Sequence, residues 1–199
     1  NEIFPLIQKG LLMLCQSNAG LEEEAKVAEE AHTLGLEAEV CDQNRLKELE
    51  PNAQINAKGG IWWPQDCHLS PEDFIQALRD SILQNGGEFT LGEVEKLEAD
   101  HRKVKNVITK SGEIYSAETI VLAGGIDTTE LVKQVGLTLP MQGGKGYSVT
   151  LPEPIANPLL CSLLKEGRVA VTPMGGTLRV SGTMEICGTD TSVSKRRLR

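Results

Sequence analysis

Residues 111–127 read SGEIYSAETIVLAGGID, and the fold class turns on how that stretch is taken. Ser111-Gly112 supplies turn chemistry, and Ile114-Tyr115 follows as a short strand. The run 119–123 is apolar and rich in β-branched residues, the composition of a strand buried on both faces. It ends in Ala123-Gly124-Gly125, where no side chain holds a neighbour away. Asp127 and Glu130 then have the spacing of a capping box, opening a helix through Leu131, Val132 and Val135 that Gly136 closes. A buried strand, a small-residue gap and a helix start form a place where a planar or anionic ligand can lie against backbone. The same residues equally satisfy a plain tight strand-to-helix turn. On this stretch alone both readings stand.

Upstream, Ser70 opens the best-marked helix, with Pro71 at its first position and Asp73 completing a capping box. Phe74, Ala77, Leu78 and Ile82 form its expected buried face, and Asn85-Gly86-Gly87 ends it. Residues 88–91, 93–99, 104–110 and 113–116 are short β-like pieces, a meander leading into the buried run. Nearer the start, residues 9–16 (KGLLMLCQ) read as a central strand. Residues 21–34 read as an amphipathic helix with Leu21, Ala25, Ala28 and Ala31 on one face, Glu22 to Glu24 in its first turn and Gly35 as its stop. A short strand over 36–40 and a brief helix over 44–50, ended by Pro51, follow. The stretch 59–64 (GGIWWP) reads as a strand approached closely from one side, and its adjacent tryptophans, Trp62 and Trp63, point to opposite faces.

Downstream, a strand over 147–151 precedes a loop carrying Pro152, Pro154 and Pro158. Residues 168–172 and 178–184 pair as a hairpin around Met174-Gly175-Gly176. The element order predicts an α+β chain: a mixed, largely antiparallel sheet flanked by helices, plus a meander and a strand–helix portion.

Composition narrows the function classes. The 199 residues carry a net charge of -8, and the one basic block is Lys195-Arg196-Arg197, so the phosphate neutralisation that nucleic-acid binding requires is missing. No apolar run approaches the roughly 20 residues of a membrane span. Five cysteines (Cys15, Cys41, Cys67, Cys161, Cys187) form no C-x-x-C pair. Three of their intervals are equal, but the flanking residues share nothing, which rules out a repeat. Scattered cysteines in apolar stretches read as reduced, cytoplasmic core residues. His32, His68 and His101 have no ligand spacing, so no metal is expected. Gly143-Gly144-Lys145-Gly146 fails as a Walker loop, because Leu139 stands where the first glycine belongs and a strand follows. G-x-G-x-x-G and G-x-S-x-G are both absent.

One ordered set of residues carries a resemblance. It runs Leu49-Glu50-Pro51, Gly60-Ile61-Trp62, Asp66 with His68-Leu69-Ser70-Pro71, Ala77-Leu78 and Gly86-Gly87-Glu88-Phe89. It continues through Ser111-Gly112, Ile120-Val121-Leu122-Ala123-Gly124-Gly125, Pro140, Lys145-Gly146-Tyr147-Ser148 and Gly182-Thr183-Met184-Glu185. In that order the chain resembles the middle of a flavin-dependent amino-acid oxidoreductase of the D-amino-acid oxidase family, on the bacterial D-amino-acid dehydrogenase branch.

The resemblance implies an FAD cofactor, with Ala123, Gly124 and Gly125 beside the flavin, the Val94 backbone passing the adenine and Lys145 as a flavin-side charge. It implies substrate contacts from Met184, Thr172 and His68. Beside these stand plainer readings: Met184 as core, His68 as a strand-end histidine held by hydrogen bonds, Lys145 as a structural charge. Residues 1–66 and 139–199 would form the substrate-binding domain and 67–138 part of the FAD-binding domain. The implied reaction oxidises D-amino acids or glycine-like amines to imino acids by hydride transfer from Cα to flavin, with the amino acid and the electron acceptor left open. The parent enzyme is expected in the cytoplasm, peripheral to the inner membrane. Two departures weigh against catalysis by this stretch alone: the family's glycine-rich N-terminal segment and its substrate-gripping arginine segment are missing, and Ala170 stands where glycine oxidase has a tyrosine. The expectation is a central fragment, inactive by itself. The alternatives are a non-catalytic binding or assembly module of the same fold, and a flavin-dependent hydroxy-acid or glycerol-phosphate dehydrogenase.

Overall fold

The computed structural model describes residues 4–101 and 103–197. The first stretch holds β1 (Leu6–Ile7), β2 (Leu11–Cys15), α1 (Asn18–Thr33), β3 (Glu39–Cys41), α2 (Gln43–Leu49), β4 (Gly59–Trp63), β5 (His68–Leu69) and α3 (Pro71–Gln84). The middle holds β6 (Val94–Asp100), β7 (Lys103–Thr109), β8 (Ile114–Ser116) and α4 (Thr128–Lys133). The last holds β9 (Gly144–Pro152), β10 (Cys161–Leu164), β11 (Val169–Met174) and β12 (Thr177–Ile186).

Seven of these strands form one sheet in the order β3-β4-β2-β10-β11-β12-β9. β2 and β10 run parallel, with Leu11 opposite Cys161 and Leu14 opposite Leu164. The pairs β3–β4, β4–β2, β10–β11 and β11–β12 are antiparallel, so the sheet is mixed and largely antiparallel, as its element order implies. The β11–β12 hairpin closes through Gly175 (φ +54°) and Gly176 (φ +88°), a left-handed turn that glycine adopts without strain.

Both faces of the sheet are covered near β2. On one, Leu12 and Leu14 pack with Leu46 of α2, Ala57 and Leu160, and Trp62 joins them. Burial of Leu12, Leu46 and Ile61 is complete or nearly so, stabilising the unit by about 1.5–3 kcal/mol per side chain. On the other, α1 lies so close that a β-carbon on Gly59 would stand 2.8 Å from Leu21 Cδ2. A β-carbon on Gly60 would stand 2.5 Å from the Met13 carbonyl. The close approach expected at 59–64 is thus that of one helix and both neighbouring strands, since the Cys41 carbonyl of β3 would lie 2.7 Å from the same β-carbon on Gly59.

Local punctuation explains the helix ends. Ser17 caps α1 in an extended conformation and accepts the Gly20 N–H, so the helix starts at Asn18 and Glu22 to Glu24 fall beyond its first turn, a correction to the expected boundary. Gly35 (φ +79°) ends it with Gly35 N–H on the His32 carbonyl and Leu36 N–H on the Ala31 carbonyl. Ser70 accepts the Asp73 N–H and Pro71 opens α3. The expected apolar burial of α3 is corrected: Ala77 alone is buried on it, while Leu78 is 47% and Ile82 46% exposed. Phe74 of this helix stands edge-on to Phe4, with ring centroids 4.9 Å apart.

The chain divides into two compact units, the first being Asn1–Gly86 with Gly146–Met184 and Lys195–Arg199. The second is Gly87–Lys145 with Glu185–Ser194. It contains the antiparallel meander β6-β7-β8, with Leu97 buried on β6, and the short helix α4. No helix among the described residues is long and apolar enough to cross a membrane.

The second unit holds three further corrections. Residues 88–91 are irregular. The run 119–123 is also no strand, and Val121 is 81% exposed. A strand buried on two faces needs ladder partners, and no described residue forms a ladder with this run. The Asp127–Glu130 capping box does not form either. Asp127 already has helical backbone angles (φ -68°, ψ -21°) at the end of a 3-10 turn, Gly125–Asp127, and an N-cap requires an extended residue. Thr128 instead reaches back to the start of that turn: its Oγ1 accepts the Gly124 N–H at 3.1 Å.

Candidate functional site

The bare backbone at Ala123-Gly124 borders a hollow of about 640 Å³ in the second unit. It is lined as well by Gly92 to Glu95, the segment leading into β6, and by Asp127, Leu131 and Gln134. Three residues far apart in sequence are therefore brought together: Val94, Ala123 and Gly124. Gly124 stays bare for a geometric reason, since a β-carbon there would press to 3.3 Å from Thr128 Oγ1. Gly125 follows at φ +57°, a conformation that costs a residue with a β-carbon about 1–2 kcal/mol.

Gln134 holds the wall in place. Its Oε1 accepts the Leu97 N–H at 3.0 Å and its Nε2 donates to the Glu95 carbonyl at 2.9 Å, doing for β6 what a neighbouring strand would do. Four carboxylates, Glu93, Glu95, Asp127 and Glu130, line the hollow against one cation, Lys110. Lys110 Nζ lies 2.6 Å from Glu93, whose hydrogen bond and charge raise its pKa. An acidic lining of this kind accepts hydroxyl and amino hydrogens and repels a dianion.

Lys145 borders a second hollow of about 330 Å³ with Ile126 and Asp127. Its ammonium is 2.9 Å from Glu185 and donates to the Asp190 carbonyl at 3.2 Å and to the Ser192 carbonyl. These contacts tie β9 to the segment after β12, so the lysine braces the turn that follows the sheet.

The residues expected on the substrate side belong to the first unit. His68 lies opposite Ile7 in the short β1–β5 pair. Both its ring nitrogens are buried without a hydrogen-bond partner. Burial lowers its pKa, and the Pro173 backbone, which falls short of hydrogen-bond geometry, offsets this only in part. Thr172 precedes that proline on β11, opposite Arg179. Met184, near the end of β12, is 65% exposed, and Ala170 lies opposite Ser181. Sequence reasoning had no signal for Gln134 or Thr128, whose roles arise from a side chain reaching the backbone of another element.

The sequence profile of the family described as DAO, FAD dependent oxidoreductase, matches residues 1–199. A D-amino acid dehydrogenase of Rhizobium rhizogenes is 30% identical over 186 residues, covering 90% of this chain and 44% of that protein. Another, of Sinorhizobium medicae, is 31% identical over 197 residues, 95% of this chain and 47% of its own length. The chain thus spans about half the length of the curated relatives it matches. Its fold is shared with glycine oxidase from Geobacillus kaustophilus, at a TM-score of 0.83 and 24% identity over 97% of this chain and 52% of that one. L-proline dehydrogenase from P. horikoshii gives 0.82 and 20% over 98% and 54%.

Proposed function

The chain belongs to the FAD dependent oxidoreductase family, and from that premise we propose that it forms part of an enzyme that oxidises D-amino acids or small glycine-like amines. The observation that carries the reading is the hollow in which Val94 faces the small-residue wall Ala123-Gly124. Because Ala123 and Gly124 line the same hollow as Val94, we read them at the adenosine side of FAD and not beside the flavin ring, as the resemblance had implied, and the lining chemistry fits that side. Bare backbone accepts a flat ring, and Glu93, Glu95 and Glu130 offer acceptors to ribose hydroxyls and an exocyclic amine. The same acidic lining does not suit the pyrophosphate, for which this chain has no glycine-rich loop.

In this reading Val94, Ala123 and Gly124 hold the cofactor, and Gly125 sets the turn that keeps them open. Lys145 acts as a flavin-side charge through the brace it forms with Glu185. On the substrate side Thr172, His68 and Met184 supply contacts, with His68 neutral at physiological pH because burial lowers its pKa. The chemistry FAD would supply when bound is a hydride acceptor for the hydrogen at Cα; the substrate's neutral amine closes the C=N bond with its lone pair, and the iminium then loses a proton to give the imino acid. The chain's own part is to orient Cα and to exclude water. Residues 1–66 and 139–199 are read as the substrate-binding domain and 67–138 as part of the FAD-binding domain; the compact units differ from this in assigning 67–86 to the first unit and 139–145 and 185–194 to the second. The relatives named D-amino acid dehydrogenase favour a D-amino acid as substrate.

The test is the visible spectrum of the whole protein before and after anaerobic addition of D-alanine, with Gly124→Leu beside it. Flavin absorbance that bleaches with D-alanine, and at least tenfold weaker FAD binding by the variant with unchanged circular dichroism, is the expected result. A protein that binds no FAD, or a variant that binds it equally well, overturns the reading.

A further inference from the structure

The first unit contains a second chemical feature, independent of any flavin. Glu50 follows α2 directly before Pro51 and is 2% exposed. Its Oε2 accepts the Leu159 N–H at 2.7 Å and the Leu160 N–H at 3.0 Å. Its other oxygen, Oε1, is buried and has no hydrogen-bond partner. That carboxylate borders a cavity of about 190 Å³, whose apolar wall includes Leu14, Ile55, Leu164 and Val171. No lysine, arginine or histidine stands in the lining to answer the charge. Beside the wall residue Pro158, Asn157 leaves its Oδ1 buried and without a partner as well.

We propose that this cavity is a binding site for a small primary alkylammonium compound, its charge received by Glu50 Oε1 and its hydrocarbon by Leu14, Ile55, Leu164 and Val171. The argument rests on what an occupant must supply. A buried acceptor without a donor is costly, and more so when it carries charge, so the occupant brings N–H groups and a positive charge. A single water answers the hydrogen bond but fills only about 30 Å³, leaving apolar wall uncovered, whereas a cavity of about 150 Å³ takes a guest the size of benzene. A metal ion needs several more oxygen ligands, and the described residues contain no cluster of metal-binding side chains. An ammonium head with a short hydrocarbon tail meets both halves of the lining.

The probe is n-butylammonium, titrated calorimetrically into the chain, with 1-butanol as the uncharged control. Saturable butylammonium binding, at least tenfold tighter than butanol, is expected. Glu50→Gln is the diagnostic variant. Its amide oxygen can keep the Leu159 and Leu160 N–H groups while its NH2 turns the free acceptor into a donor, so affinity should fall at least tenfold with the thermal midpoint preserved. Ala53→Leu, which fills the cavity from the half-buried loop without touching the carboxylate, should abolish binding, and it decides the matter if Glu50→Gln does not fold. Absence of saturable binding overturns the proposal, as does butylammonium affinity that either folded variant leaves unchanged. None of these readouts uses flavin, so failure here leaves the cofactor reading untouched, and the reverse holds.

Discussion

Glu166 holds Ser17 twice: its Oε1 accepts hydrogen bonds from the Ser17 N–H at 3.0 Å and from the Ser17 hydroxyl at 2.8 Å. Its Oε2 accepts the Gln16 N–H at 3.0 Å. Ser17 in turn caps α1 through the Gly20 N–H at 3.0 Å. The residue before Glu166, Lys165, pairs with Glu24 at 2.6 Å and Glu23 at 3.0 Å on the same helix. The turn between β10 and β11 therefore fixes where α1 begins.

Acid should expose this contact. The Gln16 N–H, followed by the Ser17 hydroxyl, lowers the Glu166 pKa from its ordinary 4.5 to about 2. A carboxylate with a depressed folded-state pKa contributes stability that is complete above its unfolded value and is lost as pH falls through the folded one. Glu166→Gln should lower the thermal midpoint at pH 7, and the gap from the parent should close between pH 4.5 and about 2. Thermal scans across that window check it; a gap independent of pH would refute the assignment.

Removing the Gln134 amide should loosen the hollow's wall. Gln134→Ala strands the N–H of buried Leu97, at a cost of about 1–3 kcal/mol, while water can replace the amide at the carbonyl of exposed Glu95. Urea unfolding measures this, and amide exchange at Leu97 should quicken in parallel.

The exposed side of α3 predicts tolerance. Ile82→Gln and Leu78→Gln remove apolar groups that are about half exposed, so each should change unfolding free energy by less than about 0.5 kcal/mol. Losses above about 2 kcal/mol would mean that this face is buried in solution.

Thiol chemistry gives a further check. Burial pushes Cys15 and Cys41 up to about 11, Glu166 adding to the effect at the first and Glu39 at the second. Burial also raises Cys161, while Cys67 is exposed. With an aromatic disulfide reagent at pH 8, Cys67 should react first, Cys187 more slowly, and the other three only on unfolding.

Much of the fold was legible because its punctuation is local. Ser70-Pro71, Gly35, Pro51 and Gly175-Gly176 each mark an end or a turn through their own backbone chemistry, and the elements fall between them. What was not legible depends on distant partners. The apolar run 119–123 has a strand's composition, but a strand exists only where a ladder forms, and composition does not name the ladder. The same limit hid the site's polar frame: Gln134 meets β6 through residues 37 and 39 positions away. Glu50 was visible as a motif residue, yet its buried role depends on N–H groups 109 and 110 positions on. Ala123 and Gly124 stood out by their small size and Val94 by family resemblance, and the fold puts them around one space.

The parallel pairing of β2 with β10 also constrains how the polypeptide can be made. The Gln16–Glu166 contact at its end joins residues 150 positions apart, with the Gly87–Lys145 stretch of the second unit threaded between them. During synthesis, β2 and its helix leave the ribosome long before the strand that completes their hydrogen bonding exists. Closure of so distant a contact makes folding slow and leaves an unfinished edge open to other nascent chains. Production should accordingly benefit from slower translation, lower temperature or co-expressed chaperones, and truncation before Leu164 should leave an insoluble product.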